Sequence, residues 1–110
     1  MNKFLFVCTG NLQRSPTFEI WFKKNRPEYE AKSAGTRTLH FDPDTNQVND
    51  ELLDWADIIF CMDLEQHLYI YINHPTYRDK LEVIGVSDQY DRFSLRLIDI
   101  IEHWVQLKRL

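Results

Sequence analysis

Cys8-Thr9-Gly10-Asn11-Leu12-Gln13-Arg14 places a cysteine and an arginine with five residues between them, and Ser15-Pro16 follows. Five intervening residues let the backbone curl into a cup whose N–H groups point inward. Such a nest, running on into a helix N-terminus, binds a phosphate dianion. Gly10 suits the tight bend, and Asn11 belongs to the few other residue types that tolerate a left-handed backbone. The planar, permanently charged guanidinium of Arg14 can grip two phosphate oxygens at once. Together with the helix end it favours the thiolate form of Cys8. A thiolate facing a bound phosphorus is a nucleophile, and a hydrogen bond from the Ser15 hydroxyl would ease its departure in a second step. The leaving oxygen needs a proton as well, which calls for a neutral carboxylic acid within reach. Asp88 and Asp91 are the two candidates in the polar stretch 87–93.

The elements that must position these groups follow from the hydrophobic pattern. Residues 3–7 read as a strand, and Ser15-Pro16 opens a helix with a capping hydroxyl and proline at its first position. Phe18, Trp21 and Phe22 form the buried face of that helix. A second strand is expected over 29–33, a polar loop through Pro43, and a short helix over 49–55. Residues 58–62 are continuously apolar, as in a strand covered on both faces. Asp63 with Gln66 forms a capping box for a helix running to about Tyr71. A fourth strand over 81–86, the loop 87–93 and an amphipathic helix from Ser94 with Leu97, Ile98, Ile101, Trp104 and Val105 inward complete the chain. Alternation of strand and helix calls for a parallel four-stranded sheet with helices on both faces. Ligands then bind beyond the carboxyl ends of the strands, on the rim where the loops 8–14 and 87–93 both fall.

Composition sets the outer bounds. At 110 residues, 44% hydrophobic, the chain suits one domain with one core, over 1–110. A net charge of -4 spread over mixed signs gives no basic stripe, so neither nucleic acid nor an anionic membrane is an expected partner. The apolar runs fall well short of the roughly 18 residues of a membrane span. No signal-peptide core precedes Gly10, so a cytoplasmic setting is expected, with Cys8 and Cys61 as thiols. Cys61, inside an apolar strand, reads as core. His67, His74 and His103 lack metal-ligand spacing. Trp21, Trp55 and Trp104 read as core, and packing accounts for Tyr69, Tyr71 and Tyr77.

The stretch VCTGNLQRSP, residues 7–16, resembles the signature of the low-molecular-weight protein tyrosine phosphatases, a cysteine, five residues, an arginine, then Ser or Thr and proline. SAGT at 33–36, ADIIFCMD at 56–63 and VSDQY at 86–90 resemble that family's turn after the second strand, third strand and acid loop. The resemblance implies the flavodoxin-like fold of these phosphatases and a cysteinyl-phosphate intermediate on Cys8, with no cofactor and no metal. It implies Asp88 as the acid that protonates the leaving oxygen and then activates water. Tyr90 would wall the pocket for an aromatic ring, and Thr9, Gly10, Asn11, Leu12, Gln13 and Ser15 would bind the phosphoryl group. Leu12 stands where the tyrosine phosphatases carry a bulky apolar residue and the related arginine phosphatases a threonine. The implied substrate is therefore phosphotyrosine on protein or a small aryl phosphate, with inorganic phosphate as product and inhibitor. Ser87 and Gln89 depart from the prolines of the acid loop, and Gln13 from the second cysteine that protects the first in many members. The chain is also shorter than standard members between Thr36 and the third strand, which leaves His40 or Phe41 as candidates for the opposite pocket wall. The alternatives are a catalytically weak phosphate-binding relative and an arsenate reductase, the latter disfavoured because only Cys61 is left to relay a disulfide.

Overall fold

The structure is a computed structural model, and it describes residues 2–39 and 42–110. His40 and Phe41, the candidates for the second pocket wall, lie outside the described residues. Four parallel strands, β1 (Lys3–Cys8), β2 (Glu30–Gly35), β3 (Ile58–Cys61) and β4 (Leu81–Val83), form one sheet in the order β2-β1-β3-β4. The chain steps from β1 to one side for β2 and then crosses to the other for β3, so the topological switch point lies between β1 and β3. Cys8, the last residue of β1, sits at that point.

β1 and β3 are buried on both faces, and their alternation divides the core in two. Phe4, Phe6, Cys8, Phe60 and Met62 face a layer made by α1 (Arg14–Asn25) and α4 (Leu95–Lys108), where Phe18, Phe22, Leu97, Ile101 and Val105 close the packing. Leu5, Val7, Ile59 and Cys61 face the other layer, made by α2 (Asp50–Trp55) and α3 (Leu64–Asn73) through Leu53 and Ile70. The two cysteines thus lie on opposite faces of the sheet. Burial beside Asp63 pushes the Cys61 thiol up to about 12, in keeping with an inert core residue. Of the tryptophans, Trp104 meets Phe6, Phe18, Phe22 and Phe60 edge-on, but all three are only partly buried, and Lys32 Nζ lies 4.4 Å from the Trp55 ring centroid. Among the described residues, no helix is long and apolar enough to cross a membrane.

Local signals set most boundaries. Asn49 caps α2 by accepting from Leu52 N, Ser94 caps α4 by accepting from Leu97 N, and the Asp63–Gln66 capping box on α3 is complete. Three boundaries differ from expectation. β4 stops at Val83 because Gly85 turns the chain at φ 93, sending both its own N–H and that of Val86 to the Met62 carbonyl. A 3-10 helix fills Pro75–Lys80 where no element was expected. Helix α1 begins at Arg14 with Gln13 at the N-cap and no side-chain cap, so Ser15 does not cap it. Pro16 still falls within the first turn, where a missing N–H leaves no bond unmade. The Ser15 hydroxyl is engaged elsewhere.

Candidate active site

The stretch from Cys8 to Arg14 leaves the end of β1 and re-enters a helix, so its backbone groups gather over one point. Cys8 Sγ lies 3.0 Å from Ser15 Oγ and accepts a hydrogen bond from Asn11 N at 3.2 Å. The N–H groups of Thr9, Gly10, Leu12 and Gln13 make no hydrogen bond among the described residues, so the loop keeps four backbone donors that the fold itself does not use. Asn11 carries the left-handed turn at φ 57, as its type allows. Gly10 does not have the role expected of it: its φ is not positive, and an added Cβ would meet only the Leu12 side chain at 3.7 Å. The glycine the cradle requires is Gly35, at the end of β2, where a Cβ would come within 2.6 Å of Thr9 O and 2.8 Å of Asn11 N.

Arg14 is almost fully buried, a costly place for a cation without partners. Its Nη1 donates to Asp63 Oδ2 at 2.8 Å and to the Val86 carbonyl at 2.7 Å. Nε and Nη2 are unengaged among the described residues, which leaves a two-pronged donor edge. Asp63 serves two elements at once, since its Oδ1 accepts from Glu65 N at the start of α3.

Asn11 is held from three sides. Its Nδ2 donates to Ser15 Oγ at 3.0 Å and to Ser33 Oγ at 2.9 Å, while its Oδ1 accepts from Asn46 N at 2.8 Å. Ser33 Oγ in turn donates to Glu19 Oε1, and Gln66 Nε2 donates to Thr9 Oγ1 at 2.9 Å. Gln13 reaches out of the cradle, where its Oε1 accepts from Arg92 N. Leu12 stands half out of the cradle at 36% exposure.

The structure therefore brings Cys8, Thr9, Asn11, Arg14 and Ser15 into one hydrogen-bonded unit. Asp88 and Asp91 are exposed in the loop after β4, and Asp88 makes no hydrogen bond among the described residues. Tyr90, two residues on, is half-buried against the α1–α4 layer, with its hydroxyl accepting from Gln89 Nε2. Sequence reading missed Asp63, Gln66, Ser33, Glu19, Asn46, Thr17 and Gly35 as parts of this assembly. Asp63 and Gln66 were visible only as a capping box, and Ser33 and Gly35 only inside the SAGT match; the others gave no local signal.

No family model and no curated protein matches the chain. Solved structures do. Wzb of Vibrio vulnificus in complex with benzylphosphonate superposes with a TM-score of 0.81 at 23% identity, covering 99% of each chain. The low-molecular-weight protein tyrosine phosphatase of T. tengcongensis gives 0.74 at 24% identity, over 100% of both chains. The YwlE arginine phosphatase of Geobacillus stearothermophilus gives 0.76 at 23% identity, over 99% of this chain and 94% of its own. The chain thus has the flavodoxin-like fold of the low-molecular-weight protein tyrosine phosphatases, and the resemblance read from its motifs holds over the whole architecture.

Proposed function

We propose that residues 1–110 form one short phosphatase domain of this kind, which hydrolyses phosphate monoesters through a cysteinyl-phosphate intermediate without metal. The observation that carries the reading is the contact set at Cys8: a buried sulfur at the switch point, 3.0 Å from a serine hydroxyl and 3.2 Å from a backbone N–H, inside a loop with free donors and next to a buried arginine with a free donor edge. Phosphate oxygens would occupy the nest and the Nε–Nη2 edge of Arg14. Cys8 Sγ attacks phosphorus, the S–P bond forming as the ester O–P bond breaks, and the carboxyl proton of Asp88 passes to the leaving oxygen. In the second step Asp88 takes a proton from water, whose oxygen displaces the sulfur. Cys8 returns as a thiolate stabilised by the Ser15 hydroxyl, and inorganic phosphate departs.

Phosphotyrosine on protein, or a small aryl phosphate, is the substrate class this reading favours. The exposed part of Leu12 and the half-buried ring of Tyr90 would offer apolar surface to an aromatic group. The fold relatives include both tyrosine and arginine phosphatases, so a phosphoarginine peptide is the necessary comparison. Arsenate reduction is disfavoured, because the sheet separates Cys61 from Cys8.

Hydrolysis of an aryl phosphate, a phosphotyrosine peptide and a phosphoarginine peptide, with a chelator present, tests the proposal. Cys8→Ser and Arg14→Ala should lose about 1,000-fold or more in kcat/KM, and Asp88→Asn about 100-fold, more for poorer leaving groups. Binding is read separately: vanadate or phosphate at about 100 times its Kd adds about 2.7 kcal/mol, roughly 10 °C in melting temperature for a chain of this size. A melting shift without turnover would leave a phosphate-binding relative. Neither shift nor turnover would remove the cradle as well.

A further inference from the structure

The loop that carries Asp88 contains no proline between Val86 and Phe93, yet its two ends are tied to adjacent residues of the cradle. At one end, Arg14 Nη1 donates to the Val86 carbonyl at 2.7 Å. At the other, Gln13 Oε1 accepts from Arg92 N at 2.6 Å, and Thr17 Oγ1, which donates to the Gln13 carbonyl at 2.7 Å, accepts from Phe93 N at 3.1 Å. Phe93 holds φ 60, a left-handed conformation rare for a bulky residue. Two neighbouring backbone N–H groups are thereby latched to the first turn of α1. Between the anchors, the backbone of 87–91 makes only the Asp91 carbonyl contact to Ser94 N among the described residues.

From this we infer that Gln13 is a positioning residue for the acid loop: through Arg92 N, with Thr17 as its second point on Phe93, it holds the segment bearing Asp88 over the phosphoryl site. The inference rests on the phosphatase reading for its catalytic consequence, whereas the latch itself is a property of the fold. Gln13 is thus bound into the site by its side chain as well as by its backbone. A bound phosphoryl group would couple to both ends of the loop, because the residue that grips the anion also grips Val86.

Amide hydrogen exchange reads the latch without any turnover. Gln13→Leu should speed exchange at Arg92 by about tenfold or more, and Thr17→Val should do the same at Phe93, with the amides of β1 and α3 unchanged as the control for folding. Unaltered exchange at Arg92 in a folded Gln13→Leu protein would overturn the inference. The second arm is kcat/KM along a series of aryl phosphates. Gln13→Leu should lose about fivefold more on phenyl phosphate, which needs its leaving oxygen protonated, than on dinitrophenyl phosphate, which does not. Asp88→Asn should give the same pattern, the double variant should be no slower than Asp88→Asn alone, and Gln13→Glu, which keeps an acceptor, should restore slow exchange at Arg92 and remove most of the difference between the two esters, while its added charge lowers kcat/KM on both alike. An equal loss on all esters would place Gln13 in phosphate binding and refute the positioning role. Should the wild type hydrolyse no ester, the phosphatase reading falls and the exchange arm still decides the latch.

Discussion

Arg14 holds structure with one nitrogen, while its Nε and Nη2 are unengaged among the described residues. Its charge is buried, and the nearest compensation is Asp63 at 2.8 Å, itself about one third exposed. A fully buried pair broken at one partner costs about 3–5 kcal/mol, and the solvent at Asp63 reduces that figure. Asp63→Ala also removes the α3 cap, which contributes about 1 kcal/mol. The expected loss in urea denaturation is about 2–3 kcal/mol for Asp63→Ala. Asp63→Asn, which keeps an acceptor for Glu65 N, should lose clearly less. Stability is the cleaner readout here than anion affinity. Taking a negative charge from beside the cradle strengthens anion binding, while loosening Arg14 weakens it. A loss no larger than that of an ordinary cap would mean the ion pair contributes nothing. Asp63 reads in the sequence only as a capping residue; its second oxygen serves Arg14, 49 positions away.

The end of β2 is the element on which the cradle leans. Gly35 pairs with Cys8 across the sheet, and the backbone from Thr9 to Asn11 passes over it so closely that a Cβ would also meet Thr38 Cγ2 at 2.9 Å. Two of the three obstructing atoms belong to main chain, so the clash cannot be relieved by a rotamer change. Gly35→Ala should destabilise the fold by about 2 kcal/mol or more and weaken vanadate binding, whereas Gly10→Ala should be tolerated in both assays. The four strands, the starts of α2 and α4 and the capping box at Asp63 were legible because apolar runs and capping side chains act within a few residues. The early start of α1 was not, since Ser15 exchanges a capping role for contacts with Cys8 and Asn11 that only the folded sheet creates. The short β4 was hidden in an apolar run continuing through Val86, which Gly85 bends away without interrupting it. The requirement at Gly35 arises from close approach of a second segment, and composition carries no trace of that.

At the scale of the whole molecule, the sheet is fastened at its other rim by Asp57, which precedes β3 and whose Oδ2 accepts from Lys3 N at 2.9 Å and Asn2 N at 3.0 Å. The hydrogen bond from Lys3 chiefly holds its carboxyl below the ordinary carboxylate range, against a smaller opposing effect of burial. A depressed value in the folded state means a contribution to stability that is fully present above the unfolded pKa and lost as pH falls through the folded one. Asp57→Asn should therefore lower the melting temperature at neutral pH, with the gap to wild type closing once pH drops below about 4; a gap that stayed undiminished well below that pH would exclude the charge as its origin. The distances along the chain over which the cradle is assembled carry one more consequence. Cys8 and Arg14 belong to a segment synthesised early, but its partners arrive with Ser33, Asn46, Asp63, Gln66 and finally Arg92, which lies 79 positions beyond Gln13. Chains emerge from the ribosome N-terminus first, so the Cys8 sulfur exists long before the groups that surround it in the fold. A nascent or clipped chain therefore carries the sulfur without its hydrogen-bond partners, and the proposed activity would report that the chain has been made and folded at least as far as Arg92.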